Sequence, residues 1–543
     1  MKLRQYQRDA LNSYYLKWGE GFRKPISQMA TGTGKTIMFS NMAKYEASLN
    51  NRILTLINRE ELLQQFKDKL SQSTGLDCGV ERAGESAYDT LYPIVVGSVQ
   101  SLSRDTRLEK YHPDFFDLII VDEAHLSAAD TYVKIFDHFQ KARIAGFTAT
   151  AFRNDKRSLG NIYDCTAHEY SMRQAINDGW LVPIKAQTLP INIDMSSVRT
   201  QMGDYSDKDC ASAIEPYLEQ IARGMMEHAP ERTHIVFLPL VDTSKKMAEI
   251  CNKVGFRAGH VDGMSPDREQ ILSDYEAGKY NVMCNAQLLS YGYDNPAIDS
   301  VVWLRPTQSN LIYIQGIGRG TRISPPYIVN ECETAEERRQ VIANSSKPDL
   351  LLLDFLWNSA RHKLCHPAVL FSEDPTIAEK ATVGNAGAGG PEDLEDVVSS
   401  IEVEVQNERE ASLAKYIEAN KGKKKQKLDP IEHMLSIVDD SLVTYEATFD
   451  WQKCKASSKQ VDALLNAGFK NADGFTAGYA NVIMNSITER REKGLCTMKQ
   501  MNVLRKAGID GSHMSFEDAS KHIDKISRNW KRSNKFNGTM RRR

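Results

Sequence analysis

Long hydrophobic runs are missing from this 543-residue chain. The richest apolar stretch, Leu350-Leu351-Leu352-Leu353, is closed off by Asp349 and Asp354, and nothing approaches the ~20 apolar residues that a membrane helix needs. No membrane partner is expected. No apolar segment follows the charges of Met1-Lys2-Leu3-Arg4-Gln5-Tyr6-Gln7-Arg8, so no secretory signal is expected either. Cysteine is sparse. Cys78, Cys165, Cys210, Cys251, Cys284, Cys332, Cys365, Cys454 and Cys496 are odd in number, and none lies two or four residues from another. That argues against a disulfide framework, a zinc finger or a cysteine-held iron–sulfur cluster, and fits a reducing, cytoplasmic compartment. An excess of one charge is missing too. The 69 Lys and Arg against 71 Asp and Glu leave a net charge of −2, which says little about partners because local patches can oppose the average.

What is present is the composition of a globular chain, 41% hydrophobic and 26% charged, with a length that suggests two to four domains. Apolar runs of strand length recur up to about residue 357, separated by amphipathic helical stretches. They are Arg52–Ile57, Tyr92–Gly97, Asp117–Val121, Ile144–Phe147, Thr233–Leu238, Arg257–Val261, Asn281–Cys284, Ser300–Leu304 and Leu350–Leu353. Near-continuous apolar strands alternating with helices predict parallel sheets covered on both faces. Two such series predict two α/β domains, 1–180 and 181–370, meeting near Trp180–Ile193.

Beyond Leu370 the texture changes. Between Glu373 and Glu410 stand 11 acidic residues against two basic ones, around a glycine-rich run at Gly384–Gly390; the basic run Lys421–Lys427 follows. Residues 371–435 read as a flexible linker. The segment Lys459-Gln460-Val461-Asp462-Ala463-Leu464 recurs 40 residues later as Lys499-Gln500-Met501-Asn502-Val503-Leu504. Ala480, Met484 and Ile487 correspond to Ala519, Ile523 and Ile526, and Gly468 and Gly508 fall where helices would end. Residues 436–543 are therefore predicted to form a small all-α repeat domain. Its end, Lys521–Arg543, carries nine Lys and Arg and one acid, with Trp530 and Phe536 interleaved. Such a tail can grip phosphate and stack on bases, or be only solvated.

The most informative segment is Met29-Ala30-Thr31-Gly32-Thr33-Gly34-Lys35-Thr36. Glycines let a backbone curl so that its N–H groups point at phosphate oxygens, and the following helix adds its positive end. Lys35 can reach the β- and γ-phosphates of ATP, and the Thr36 hydroxyl can ligate Mg²⁺. The strict pattern has glycine where this chain has Met29. A partner acid is supplied by Phe116-Asp117-Leu118-Ile119-Ile120-Val121-Asp122-Glu123-Ala124-His125, where Asp122 and Glu123 emerge from a buried strand. One carboxylate can hold the metal; the next can deprotonate an attacking water.

With these residues in order, the chain resembles the DEAH-type superfamily-two helicases. Lys35-Thr36, Asp122-Glu123-Ala124-His125 and Thr148-Ala149-Thr150 are similar to their motifs I, II and III. Ser290-Tyr291-Gly292-Tyr293-Asp294 resembles motif V, and Gln315-Gly316-Ile317-Gly318-Arg319-Gly320-Thr321-Arg322 resembles motif VI. Leu3–Gln7 resembles the adenine-reading start, Ile57–Leu62 motif Ia and Val96–Leu102 motif Ib. The likeness covers roughly residues 1–365. It is nearest to the branch of type III restriction motor subunits and branched-DNA helicases of bacteria and phages. Ala151 stands where the family usually has proline, and Tyr291 where it has a polar or acidic residue.

The resemblance implies a fold of two tandem RecA-like domains and a set of roles. Gln7, with Arg4 nearby, would read adenine; Thr31, Gly32, Thr33 and Gly34 would cradle phosphates; Asp294 would touch the ribose or link hydrolysis to movement. Arg319 and Arg322 would be arginine fingers, their i, i+3 spacing putting both on one helix face. Gln315, His125, Thr148, Thr150 and Gly292 would couple the domains, and Arg59, Ser98, Gln100 and Ser101 would contact nucleic-acid phosphates. The expected function is an ATP-dependent DNA helicase, with RNA a less favoured partner. The alternatives are a duplex translocase serving a larger complex and a non-hydrolysing switch protein. The C-terminal repeats could grip DNA or dock a protein.

Overall fold

The computed structural model describes residues 3–58, 60–149, 159–189, 191, 193, 195, 198–201, 204–286, 293, 295–355, 365, 367–372, 374, 376–377, 380–381, 390–419, 445, 447, 450–469, 472–507, 509, 511 and 514–526. It divides into two compact units, residues 1–156 with 165–405, and residues 157–164 with 406–543.

The first unit contains two seven-stranded sheets. One holds β1 (Pro25–Met29), β2 (Ile53–Ile57), β3 (Cys78–Glu81), β4 (Ile94–Ser98), β5 (Leu118–Val121), β6 (Arg143–Thr148) and β7 (Cys165–Tyr170), in the order β3-β4-β2-β5-β6-β1-β7. All its pairings are parallel. The other holds β8 (Ile184–Thr188), then, after a small hairpin of β9 (Thr200–Gln201) and β10 (Asp204–Tyr205), β11 (His234–Leu238), β12 (Ala258–Val261), β13 (Val282–Ala286), β14 (Ser300–Trp303), β15 (Leu350–Asp354) and β16 (Glu392–Asp393). Its order is β12-β13-β11-β14-β15-β8-β16, parallel except for β16 against β8. This is the α/β architecture that the apolar runs predict, and each of those nine runs forms a strand. Central strands such as β2 and β11 are buried at every residue, because helices cover both faces.

Strand β1 escaped the apolar criterion. Its sequence Pro-Ile-Ser-Gln-Met carries a buried serine, Ser27, and begins at a proline, which a strand tolerates at its first residue. Because β1 and β5 run parallel, their carboxyl ends lie at one edge of the sheet. That brings the turn after Met29 and the acids after Val121 together.

The linker expected from residue 371 is corrected over part of its length. Glu392–Asp393 pairs with β8, and Leu394–Ala419 is a helix. Leu394, Val398 and Val405 are buried, while the carboxylates that suggested a tether form the polar face. Glu402 pairs with Arg173 at 3.1 Å and Glu404 with Lys380 at 2.8 Å. Glu395 and Asp396 sit in the first turn, where negative charge suits the helix dipole. Residues 382–389 and the basic run 421–427 lie outside the described residues.

In the second unit the sequence repeat is a structural one. Ser457 and Thr497 each accept the N–H of the residue three positions on, Gln460 and Gln500, whose side chains reach back to the Ser457 and Thr497 N–H groups. Helices Ser458–Ala467 and Met498–Lys506 follow these caps. Gly468 closes the first helix at φ +112; Gly508 lies outside the described residues. The isolated bridge Lys455–Thr476 has its counterpart in Leu495–Ser515, 40 residues on at one end and 39 at the other. The two copies share one apolar cluster, with Leu464, Phe469, Phe475 and Ile483 of the first against Cys496, Met501, Leu504 and Ala519 of the second. The tail beyond residue 526 lies outside the described residues.

All nine cysteines are free. Among the described residues no helix is long and apolar enough to cross a membrane, and no group of three or more His, Cys, Asp or Glu is placed to hold a metal.

Candidate functional site

Strand β1 ends at Met29, which packs in the core, so the position that departs from the strict phosphate-loop pattern serves the sheet. The chain then turns through Gly32 at φ +87 and Gly34 at φ +81, conformations that a Cβ disfavours, and helix Lys35–Ser48 begins at once. Thr33 donates its hydroxyl to the Ala30 carbonyl at 2.7 Å, and Lys35 Nζ reaches back to the Met29 carbonyl at 3.1 Å. The lysine is thereby folded over the loop. Burial holds its amine below the ordinary value, and Arg319 and Arg322 add to the effect against Glu123 and Asp122.

Helix Gln5–Gly19 closes one side of this loop. Gln7 Nε2 donates to the Thr33 carbonyl at 3.0 Å, and Gln7 Oε1 accepts the Arg4 N–H at 2.9 Å. Gln7 therefore touches the phosphate loop itself, and a Cβ on Gly34 would come within 2.7 Å of its Nε2. Tyr6, which sequence reasoning missed, donates to the same Thr33 carbonyl at 2.7 Å and stacks on Tyr170 with ring centroids 4.3 Å apart. Arg4 and Arg338 each place a guanidinium 4.2 Å from the Trp180 ring centroid.

Asp122 and Glu123 follow β5. Glu123 adopts φ +50, a left-handed conformation uncommon outside glycine. Burial, followed by the neighbouring Glu123 carboxylate, pushes the Asp122 carboxyl up to about 7. A divalent cation is the group that would favour its charged form. Thr36, in the first turn of helix Lys35–Ser48, offers a hydroxyl, so the donors available are oxygens, the kind Mg²⁺ takes. The residues present fit that ion.

The second sheet's domain completes the arrangement. Gln315 Nε2 lies 3.2 Å from Glu123 Oε2. The same oxygen is 3.4 Å from His125 Nδ1, which is 3.2 Å from Thr148 Oγ1 at the end of β6. Gly318 faces Thr31 so closely that a Cβ would sit 2.6 Å from the threonine Cβ; Gly32 faces Leu181, Thr321 and the Arg322 stem. Arg319 Nη1 donates to the Tyr293 carbonyl at 3.1 Å. Burial pushes the Arg322 guanidinium down to about 10. Lys69, also unforeseen, feels both arginines; with its own burial they hold its amine below the usual value.

One detail of motif VI is corrected. Helix Asn310–Ile317 ends before Arg319 and Arg322, which stand in the turn that follows. Glycines weaken the helix there, and Gly320 is needed for close approach to Leu350, whose methyl would be 2.4 Å from an added Cβ. The two arginines are thus neighbours through a turn.

The expected nucleic-acid residues are only partly placed for contact. Ser98 and Ser101 are buried, since one ends β4 and the other faces inward from the short helix Val99–Leu102. Ser98 gives its hydroxyl to Gln100, whose exposed amide is held by Asn58 Oδ1 at 2.8 Å. Arg59, Thr150, Gly292 and Asp294 lie outside the described residues.

Residues 1–153 match the family described as "Type III restriction enzyme, res subunit", and residues 216–324 match the "Helicase conserved C-terminal domain". IRC3 of Saccharomyces cerevisiae, by name an ATP-dependent helicase, is 30% identical over 59% of this chain and 49% of its own. Its Schizosaccharomyces pombe namesake, named as mitochondrial, is 31% identical over 70% of this chain and 60% of its own. The endonuclease subunit of the Escherichia coli type I restriction enzyme EcoAI is 28% identical over 60% of this chain and 44% of its own. The chain thus spans about half the length of the curated relatives it matches. Matched in both of its sheet-bearing domains, the chain is similar to superfamily-two helicases and to restriction-enzyme motor subunits.

Proposed function

We propose that the protein is an ATP-dependent motor that moves along DNA and unwinds or remodels it. The observation that carries this reading is the contact of Gln315 with Glu123, together with Arg322 packed against Gly32, because residues of both domains then surround one phosphate loop. Nucleotide bound there would favour the closed arrangement of the domains, and its hydrolysis would release it.

In this reading the N–H groups of residues 31–36 and the Lys35 amine hold the ATP phosphates. Mg²⁺, held by Thr36 and Asp122, would neutralise charge on the phosphate oxygens. Glu123 takes a proton from the attacking water, and Gln315 orients its carboxylate. Arg319 and Arg322 bring positive charge to the phosphoryl group in transit. Arg4, Gln7, Tyr6 and Asp294 serve the nucleoside end. The chain Thr148–His125–Glu123–Gln315 carries the state of the nucleotide from one domain to the other. Thr150 and Gly292 belong to the same coupling, and Arg59, Asn58 and Gln100 to the DNA contact. The nine free cysteines suit a reducing cytoplasm.

The test is ATP turnover by the full chain with single-stranded, duplex and forked DNA and with RNA. Stimulation by DNA above RNA is expected; turnover indifferent to every nucleic acid would reject the motor. A strand-displacement assay separates unwinding from the second reading, translocation on duplex DNA within a larger assembly. The likeness to a restriction endonuclease subunit more than twice as long as the matched region supports that second reading.

A further inference from the structure

Lys347 stands in the loop between helix Ala335–Ala343 and β15, in the sequence Ser345-Ser346-Lys347-Pro348, which reads as a solvated turn. It is only 2% exposed. Its Nζ donates to the Pro296 carbonyl at 2.8 Å, and its own N–H is held by Ser345 Oγ at 3.1 Å. Pro296 closes the short segment that begins at Tyr293, and the Tyr293 carbonyl is the one that Arg319 grips. Lys347 and Arg319 therefore hold the carbonyls of Pro296 and Tyr293, three positions apart in the chain.

The charges around the amine are few. Asp299 accepts the Thr233 N–H at 2.7 Å and lies 3.6 Å from Arg232; Arg232 pairs with Asp349 at 2.7 Å, and Asp349 also takes Lys185 at 2.9 Å. Asp299 favours the charged amine, while Arg322 and Arg232 oppose it. A buried lysine whose nearest carboxylate already serves a backbone N–H and an arginine is a costly way to satisfy one carbonyl. Stability alone gives no reason for it.

We propose that Lys347 is a positioning residue for the interdomain nucleotide site: by pinning Pro296 it fixes the segment against which Arg319 is set, beside Arg322. The inference rests on the ATP-hydrolysis reading above. Burial pushes the Lys347 amine down to about 7, so it changes charge near neutrality. The protonated amine makes the stronger, charge-assisted bond to the carbonyl. Deprotonation loosens the clasp, and turnover falls as pH rises past that point.

The experiment measures kcat and KM for DNA-stimulated ATP hydrolysis across pH, with the full chain and its Lys347→Met and Lys347→Arg variants. For the unaltered protein an alkaline fall in kcat centred near 7 is expected. Lys347→Met should lower kcat by ~10-fold or more, on the scale of a small misplacement of catalytic groups, and lose that fall. KM for ATP should change by less than ~2-fold, since ground-state binding is untouched. Lys347→Arg should keep most of the activity and move the fall to much higher pH, because a guanidinium does not deprotonate there. An arginine variant whose alkaline limb stays where it was would overturn the proposal, even if the methionine variant does not fold. So would a folded methionine variant with unchanged kcat and pH profile. Absence of hydrolysis by the unaltered protein at every pH is a different failure, that of the hydrolysis reading itself, and removes this inference with it.

Discussion

Gln315 Nε2 sits 3.2 Å from Glu123 Oε2, and the two residues come from the domains of different sheets. Glu123 stands in a left-handed conformation next to the half-buried Asp122, so its carboxylate is aimed by its backbone as well as by its partners. In the proposed mechanism Glu123 is the general base, and a base held from the opposite domain is set only when the domains meet, which would tie chemistry to domain closure.

Replacing Glu123 by Gln should leave nucleotide binding nearly unchanged and abolish turnover, because the proton acceptor is lost while Asp122 and Lys35 remain. Binding of a fluorescent ATP analogue and a steady-state hydrolysis assay check both halves. Near-normal turnover would sink the assignment of Glu123.

Glycines 316 and 318 should separate fold from closure. A Cβ at Gly316 would meet the Trp303 ring at 2.2 Å, inside the second domain. Gly316→Ala should therefore destabilise by about 1–3 kcal/mol, as overpacking does, visible in thermal unfolding. Gly318→Ala presses mainly on Thr31 across the domains, at 2.6 Å, and also on the Ile314 carbonyl of its own domain, at 2.9 Å, so it should slow turnover strongly for a destabilisation smaller than that of Gly316→Ala. Equal effects on both measurements from the two variants would contradict the distinction.

Lys347 also predicts how stability changes with pH. Its folded-state value of about 7 lies below that of an ordinary lysine, near 10.4. Between those values the unfolded chain binds the proton and the folded chain does not, so this group's contribution to stability rises with pH. The slope is at most about 1.4 kcal/mol per pH unit. Denaturant unfolding of the Lys347→Met protein should show a flatter rise between pH 7 and 10 than the unaltered chain. An identical slope would show that the lysine is not buried as described.

The basic tail of the sequence carries a further prediction. Replacing the nine Lys and Arg between Lys521 and Arg543 by Gln should weaken DNA binding and make affinity fall less steeply with salt, since fewer counterions are released. ATP turnover without DNA should be unaffected. Titrations at several salt concentrations decide it; an unchanged slope would assign the repeats at Lys459 and Lys499 to a protein partner.

Much of this was legible in the sequence because burial on both faces leaves a one-letter signature. Runs such as Leu118–Val121 and Leu350–Leu353 are apolar throughout, and the motifs at Lys35, Asp122 and Arg319 are local in the chain. What was illegible depends on distant partners. β1 hides behind Ser27 and Gln28. Tyr6 and Trp180 acquire meaning only when the Thr33 carbonyl, Arg4 and Arg338 arrive beside them. Lys347 looks like a surface residue until Pro296 covers it. The start of the helix Leu394–Ala419 reads as a tether because interspersed carboxylates and the neighbouring glycine-rich run obscure its apolar positions Leu394, Val398 and Val405. Ser98 and Ser101 carry the right chemistry for phosphate contact but face the core.

Arg319 and Arg322 test most directly whether one nucleotide is worked on from two domains. ATP hydrolysis in saturating DNA should be compared for the unaltered chain, Arg319→Ala and Arg322→Ala, alongside nucleotide affinity. Affinity carried by the first domain should be largely kept, while turnover drops by ~10³ or more, the scale of losing an arginine finger. Turnover within a few-fold of the unaltered protein would contradict a shared site; loss of nucleotide binding itself would make the arginines ground-state or structural residues.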